Sequence, residues 1–410
     1  MLARSYHDPL QTGPPLRQRW VCVTISAALV LVLAFAVLLQ LSILASVPPD
    51  IAIVFLKALT LSSLLAVVPL ALLWYLDRRE REGAWLFAAA FLWGGCIATA
   101  LALPFNTAFF QLIDAWVARH PAITAVLGPD AATLLAAPIS APIVEEVAKA
   151  LGVVLIFWLL RAEFDNMRDG LVYGAVVGLG FNWVEAALYV AQGYVQSGVP
   201  PYGQELGGRY ALLGLGGHTL FTALFGAGLG LALQTKRTWL RVLAPIVGIT
   251  LAIAAHMLNN ALPLLAALAG AAAGEPPSGL EPPGADVGFL GAFLGGTLFQ
   301  LVVFLPFLLV AGFALWRSGL WERRVIREEL ADEVGHAVTP GEYQDIARDR
   351  IFRTRRISGM QRRTSSALVN AQHELAFRKR RVRNEGKDPA RDRLANHWRG
   401  EILRLRQLLS

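Results

Sequence analysis

Ionisable side chains inside apolar segments are the residues of this 410-residue chain whose types could do chemistry. A charge inside hydrocarbon costs at least about 2.5–3.5 kcal/mol on insertion scales, so such a residue indicates a function by default. They lie in four separate segments: Glu145, Glu146 and Lys149 in the first, then Glu185, His218 and His256 in one segment each.

Helical spacing gives each segment a short polar stripe, because residues three or four apart share one face of a helix. In the first segment, Glu145 and Glu146 precede Lys149 by four and three residues. The other pairs, each four residues apart, are Phe181 with Glu185, His218 with Thr222, and His256 with Asn260. We expect these stripes to face the inside of a helical bundle.

The chemistry that this set suits is hydrolysis of a peptide bond. A carboxylate in a low-dielectric pocket can act as a general base on water, and two adjacent carboxylates can divide into a base and an acid. His and Asn can donate hydrogen bonds to an oxyanion. The same groups could instead hold a divalent metal such as zinc, with Glu146, His218 and His256 as three ligands. The residues leave two routes open: water activated by a glutamate with no cofactor, and water activated by a bound metal.

Signatures of other hydrolases are missing from the sequence. There is no HExxH zinc motif and no GxSxG nucleophile elbow. No apolar segment pairs two aspartates.

The elements that position these residues are membrane helices. The chain is 55% hydrophobic and only 16% charged, with a mean hydropathy of +0.50, and its apolar runs are long enough to cross a bilayer. We predict an all-α polytopic bundle of about eight transmembrane helices, the fourth interrupted by Pro138 and Pro142. The helices are predicted at 20–46, 51–76, 84–110, 131–160, 170–192, 210–234, 239–268 and 287–316.

Basic residues set the predicted orientation. They concentrate in alternate connections: Arg78, Arg79 and Arg81, then Arg161 and Arg168, then Lys236, Arg237 and Arg241. By the positive-inside bias these connections and both termini are cytoplasmic, in a multi-pass protein of the cell membrane. At 1.5 Å per residue from the cytoplasmic ends, Glu146, Glu185, His218 and His256 then lie roughly 21–25 Å up. This shared depth predicts one polar layer in the outer half of the bilayer.

The chain divides into a cytoplasmic N-terminal segment (1–19), a transmembrane domain (20–316) and a basic cytoplasmic tail (317–410). The tail holds 22 Lys/Arg against 13 Asp/Glu. Anionic membrane lipids are the expected partner of such a tail, in preference to nucleic acid. The spacing of Trp398, Ile402, Leu405 and Leu408 predicts an amphipathic helix that lies on the membrane or on a partner.

Four stretches together resemble the motifs of the PrsW family of intramembrane proteases. Their residues follow the family order over about 130–265: Glu145-Glu146-x-x-Lys149; Asp169-Gly170 to Phe181-x-x-x-Glu185; Gly217-His218 with Thr222; and His256-x-x-x-Asn260. The related CAAX-protease and bacteriocin-processing group has Arg one residue beyond the position of Lys149, and His in place of Glu185. Both departures favour PrsW.

The resemblance implies a membrane peptidase of eight spans that cuts a membrane-tethered protein, typically an anti-sigma factor, near the extracytoplasmic side. It implies either a metal-dependent or a glutamate-based mechanism, and we favour the glutamate. Glu146 or Glu145 is then the base, with Glu185, His218, His256 and Asn260 orienting water or stabilising the oxyanion. Adjacent helical residues point about 100° apart, so the other glutamate is expected to pair with Lys149 or cap a neighbour.

Two other classes of function remain open from the residues. Intramembrane Glu, His and Lys also build the proton relays of transporters, although no inverted repeat is evident. A non-catalytic membrane scaffold that binds partners through its tail is the other alternative.

Overall fold

The structure is a computed structural model that describes residues 19–79, 83–159, 164, 166–275, 287–349, 357 and 359–407. The predicted N-terminal segment as far as residue 18 lies outside this part of the chain, as do Arg81, Arg161 and Leu408. The described residues are helical, and their only β feature is one bridge between Val334 and Val338. The all-α prediction is confirmed.

Sixteen α-helices are described. In chain order they are α1 Arg19–Ser46, α2 Pro49–Leu76, α3 Ala84–Leu92, α4 Thr99–Val117, α5 Pro121–Leu127, α6 Ala131–Ala136, α7 Ser140–Leu159, α8 Met167–Ser197, α9 Tyr202–Arg209, α10 His218–Gln234, α11 Thr238–Ala272, α12 Gly288–Val303, α13 Leu305–Ala331, α14 Pro340–Ala347, α15 Arg362–Asn384 and α16 Arg393–Gln407. A π-helical turn, Trp93–Ala98, joins α3 to α4.

Six described segments are long and apolar enough to cross a membrane, and the bent pair α12–α13 would be a seventh. They are Val23–Ser46, Pro49–Leu76, Ala84–Val117, Met167–Ser197, Leu212–Gln234 and Thr238–Ala272. Helix α7 has the length of a span, with 20 residues, but carries three charged side chains. The membrane bundle is therefore confirmed, and the count of eight stays a prediction.

Two predicted helices are broken in the structure. The segment 131–160 divides into α6 and α7 around Pro138, while Pro142 falls in the first turn of α7, where a missing N–H leaves no helical bond unmade. The prediction of one helix over 287–316 is wrong, because α12 and α13 meet at Phe304 with a bend of 80°. Pro306 lies in the first turn of α13 and favours a new helix start there.

Glycines let α8 and α10 approach closely along the centre of the bundle. A Cβ atom at Gly178 would lie 2.1 Å from the carbonyl oxygen of His218. One at Gly174 would lie 2.4 Å from the carbonyl oxygen of Thr222. No real Cβ sits so near, so these positions of α8 set the distance to α10, as small residues do between membrane helices.

The tail forms a helical unit with its own core. Leu330, Leu368, Leu375 and Ile402 are fully buried and pack together from α13, α15 and α16. The expectation that the apolar face of the last helix lies on lipid or on a partner is wrong for its described residues. Ile402 and Leu405 instead pack on the chain itself, since periodicity predicts an apolar face but not what covers it.

Buried ion pairs join the tail to the membrane helices. Glu322 of α13 is 2% exposed and contacts Arg79, after α2, and Arg168, in the first turn of α8, at 2.8 Å each. His373 of α15 is buried beside Arg79, and burial, followed by the positive charge of Arg79, lowers the pKa of His373 to about 3. The imidazole is therefore neutral at neutral pH and adds no repulsion to this junction.

Gly178→Ala tests the close approach of α8 and α10. The added Cβ would press on the His218 carbonyl, and we expect a loss of about 1–3 kcal/mol in stability, the range for overpacking. The measurement is the thermal unfolding midpoint of the purified protein in detergent. Gly295→Ala in α12 is the matched control, because a Cβ there meets no atom within 4 Å. Equal midpoints for both variants would contradict the assigned packing.

Candidate active site

Glu146 is a fully engaged carboxylate at the centre of the bundle. It lies on α7, and its Oε1 accepts from Lys149 Nζ at 2.6 Å and from His256 Nδ1 at 3.1 Å. Its Oε2 accepts from Thr222 Oγ1 at 2.9 Å. With every bond directed to a different helix or turn, Glu146 fixes the arrangement of its neighbours.

Glu145, one residue earlier, has one oxygen held and one open. Its Oε1 accepts from Asn106 Nδ2 of α4 at 3.1 Å. Ser140 Oγ donates to Asn106 Oδ1 at 2.8 Å, which orients the amide so that its NH₂ group faces Glu145. The other oxygen, Oε2, is buried and accepts no hydrogen bond from the described residues. Its nearest charged neighbour is Lys149 Nζ, at 3.7 Å.

Lys149 is the cation at the centre of the cluster and is fully buried. Besides Glu146, its ammonium contacts His218 Nδ1 at 2.9 Å and lies over the ring of Phe181, 4.1 Å from the centroid. The carboxylate and the aromatic face both favour a positive charge here.

The contacts of His218 determine its tautomer. An ammonium only donates, so His218 Nδ1 accepts from Lys149 and the ring proton is on Nε2. That proton points at Glu185 Oε2 on α8, at 2.5 Å. The same oxygen accepts from Arg209 Nη1 of α9 at 2.6 Å. Glu185 is therefore neutralised by Arg209 and orients His218.

The contacts of His256 on α11 give it the opposite tautomer. A carboxylate only accepts, so Nδ1 carries the proton that is donated to Glu146. The lone pair of His256 Nε2 receives a long contact from Asn260 Nδ2, at 3.4 Å, and lies 3.9 Å from Glu145 Oε2. Phe221 stacks on the ring, with centroids 5.2 Å apart and planes at 22°. Two acceptor atoms, Glu145 Oε2 and His256 Nε2, thus face each other.

The structure brings the predicted residues into one cluster. They are Glu145, Glu146, Lys149, Phe181, Glu185, His218, Thr222, His256 and Asn260. Sequence reasoning missed three contributors: Asn106, Arg209 and Phe221. Asn106 is a polar residue in the apolar run of α4, a signal that could have been followed. Arg209 could have been found from the charge that buried Glu185 requires. Phe221 carried no signal, since an aromatic residue in a membrane helix is ordinary.

A metal would find its donors in Glu145, His218 and His256, which can each offer one atom within 4.8 Å of the others. Two His and one Glu are a known set for catalytic zinc. The carboxylate is Glu145, and not Glu146 as in the sequence prediction, because both oxygens of Glu146 already accept hydrogen bonds. In this arrangement the set does not fit a metal, because both nitrogens of His218 are engaged and Lys149 already supplies a cation beside them.

The comparison with protein families covers this whole cluster. A family model described as PrsW family intramembrane metalloprotease matches residues 82–311, more than half of the chain. The chain belongs to the PrsW family. No curated protein and no solved structure matches it. Membership makes the chain a multi-pass membrane peptidase, which confirms the family and the enzyme class predicted from its motifs. The PrsW match begins before Asn106 and ends within α13.

Asn106→Leu tests whether the amide positions the PrsW-family glutamate Glu145. The substitution keeps the branching and number of the side-chain heavy atoms and removes the donor to Oε1, so the carboxylate can rotate. For a carboxylate that takes part in the reaction, such misplacement costs about 10–100-fold in rate. We expect kcat to fall by that factor with KM unchanged, in a cleavage assay on a membrane reporter. Thr107→Val is the control, because Thr107 is exposed on the same helix and bonds only to its own helix, at Leu103. A lower kcat in both variants would argue against a positioning role.

Proposed function

We propose that this PrsW-family chain hydrolyses a peptide bond of a membrane-tethered protein with water activated by Glu145. One observation carries the proposal. Glu145 Oε2 is buried without a hydrogen-bond donor and faces the lone pair of His256 Nε2 across 3.9 Å. A water molecule that donates a hydrogen bond of about 2.8 Å to each acceptor bridges such a pair.

The reaction then follows from the surrounding contacts. The water oxygen attacks the scissile carbonyl carbon while one water proton passes to Glu145 Oε2. Collapse of the tetrahedral intermediate breaks the C–N bond, and Glu145 returns the proton to the leaving amine. The positive charge of Lys149 stabilises the oxyanion. Asn260 orients His256, because its Nδ2 donates to the carbonyl oxygen of Ala137 at 3.2 Å and contacts His256 Nε2 at 3.4 Å.

The remaining groups hold this geometry. Glu146 keeps the proton of His256 on Nδ1, so that Nε2 carries a lone pair, and the water replaces the long contact from Asn260 Nδ2 at that lone pair. Arg209 and Glu185 fix His218, which in turn steadies Lys149. In this proposal the second glutamate of the motif, Glu146, pairs with Lys149 and orients His256.

The substrate and the side of cleavage belong to the proposal. The family implies a membrane-tethered substrate, and we propose an anti-sigma factor or a protein of that kind. The Glu185–Arg209 pair is partly exposed, at 13% and 19% of the two side chains. Arg209 belongs to the connection between α8 and α10, which the distribution of basic residues assigns to the extracytoplasmic side. This supports cleavage near that face of the cell membrane, with both termini in the cytoplasm.

Glu145→Gln is the direct test of the proposed base. Gln keeps the shape but cannot accept the proton, so we expect cleavage of an anti-sigma-factor membrane reporter to slow by about 10²–10⁴-fold. The assay follows appearance of the cleaved fragment in proteoliposomes. Glu275→Gln is the matched control, because Glu275 is exposed beyond the end of α11.

Comparison with Glu146→Gln separates the two glutamates. Removing the Glu146 charge takes away the close counter-ion of the buried Lys149 ammonium, at 2.6 Å, and leaves only the more distant Glu145, at 3.7 Å, so this variant should also lose thermal stability. The Glu145→Gln protein should keep the unfolding midpoint of the original. A well-folded Glu145→Gln protein that cleaves at full rate would overturn the assignment.

Metal removal tests the glutamate route against the metal route. Because Lys149 supplies the central cation, we expect the purified protein to keep its cleavage rate after treatment with 1,10-phenanthroline or EDTA. Lys149→Gln removes the competing ammonium and should raise the affinity of the site for Co²⁺, measured by its visible absorption. A rate that falls more than tenfold on chelation and returns with zinc would contradict the glutamate route while leaving the peptidase assignment in place.

A further inference from the structure

Two adjoining cavities lie where the membrane helices meet the tail. The first, of about 430 Å³, lies between the bundle and the helices α13 and α15. The second, of about 380 Å³, lies between α7, α10 and α11. Both are lined by Phe157 of α7 and Leu233 of α10, so they are neighbours, and we refer to the two together as the groove. Together they are in the size range of small-molecule sites.

The second cavity is an apolar slot. Apart from Arg241 at its edge, its lining is hydrocarbon: Phe157, Leu229, Ala232, Leu233 and Pro245. It runs between helices that are themselves apolar enough to span a membrane. A lipid acyl chain suits such a slot, because the helices that form the slot are surrounded by lipid acyl chains in the membrane.

The first cavity has a mixed lining of apolar and polar side chains, and it contains a buried acceptor without a donor. Gln234 Oε1 lines it and accepts no hydrogen bond from the described residues. Arg381 of α15 and Glu385 also line it. Arg241, exposed at the neighbouring slot, donates through Nε to the carbonyl oxygen of Thr235 at 3.1 Å. Two guanidinium groups thus flank the groove, and guanidinium forks match phosphate oxygens.

The position of the groove along the bundle fits a lipid head group. Gln234 is the last residue of α10, and Arg241 lies in the first turn of α11. This is the end of the bundle at which the basic connections collect, and basic pockets between helices at the cytoplasmic end bind anionic head groups. A head group therefore suits the first cavity, and an acyl chain suits the apolar slot.

We propose that this groove binds one anionic phospholipid of the inner leaflet, with a head group that carries hydroxyls. Its phosphate lies between Arg241 and Arg381, a hydroxyl donates to Gln234 Oε1, and an acyl chain fills the apolar slot. Trp321 of α13 also lines the first cavity, so the lipid contacts the tail and the membrane helices together. This site is independent of the catalytic cluster.

Phosphatidylglycerol is the probe, and native mass spectrometry of the full-length protein in detergent measures its binding, with phosphatidylcholine as the neutral comparison. The unmodified protein should retain one phosphatidylglycerol in preference to phosphatidylcholine. The double variant Arg241→Gln, Arg381→Gln should bind it about tenfold more weakly or worse, because charge-assisted hydrogen bonds to phosphate are lost. Leu233→Trp, which fills the groove and keeps both charges, should also abolish the bound lipid.

The control double variant is Arg237→Gln, Arg391→Gln. Like the first double variant, it removes two positive charges, one near the start of α11 and one in the tail. Both residues are exposed and neither lines the groove. We expect it to bind phosphatidylglycerol as the original does. Equal weakening in both double variants would show general surface attraction and overturn the site. Unchanged binding by Leu233→Trp would overturn it as well, whether or not the arginine variants respond.

Discussion

The ammonium of Lys149, buried among apolar helices, is the constraint around which the cluster is arranged. Such a charge is tolerated only when paired and hydrogen-bonded, and Glu146 supplies the pairing at 2.6 Å. The cluster holds three carboxylates and two permanent cations, with Arg209 assigned to Glu185 and Lys149 to Glu146. Glu145 is left as the carboxylate that can take a proton without breaking a close ion pair. The distribution of charge, more than the order of residues in the motif, is what supports the proposal of Glu145 as the base.

Helix spacing decides whether this charge distribution can form. His218 and Thr222 of α10 must reach carboxylates on α8 and α7 within hydrogen-bond distance. Short side chains reach across only if the backbones are close, and the glycines of α8 place the α10 backbone there. Gly178 meets the carbonyl of His218, and Gly174 meets that of Thr222. Gly174 and Gly178 each lie opposite a residue of the cluster, so the close approach of the helices and the polar contacts depend on each other.

Helical periodicity was enough to predict which side chains share a stripe, and the stripes do meet. Periodicity could show that only one of Glu145 and Glu146 faces the site squarely, but it could not show which of them has a free oxygen. That depends on the positions of Asn106 and Thr222, which lie on other helices. The tail shows the same limit. The sequence of its last helix predicts an apolar face, but the same spacing results whether that face is covered by the membrane, by a partner or by the chain itself. The packing of Ile402 shows that the chain itself covers it.

The bend between α12 and α13 was missed although Pro306 favours a helix start there, and the bend supports both histidines. Phe304, at the bend, packs on Phe221, which stacks on His256. Thr297 Oγ1 of α12 accepts from the backbone N–H of Leu212, in the turn that leads to His218.

That turn is strained. Leu212 and Leu213 both have positive φ, at 53° and 57°, a conformation that side chains other than glycine rarely adopt and that persists only where the surroundings impose it. Helix α12 contacts this turn twice: Thr297 Oγ1 holds the N–H of Leu212, and a Cβ at Gly216 would lie 1.5 Å from Gln300 Oε1, so a larger residue there would require the Gln300 side chain to move. The bent pair carries no polar group of the catalytic cluster. It nevertheless packs behind His218 and His256, the two imidazoles of the cluster, so it forms part of the wall of the site.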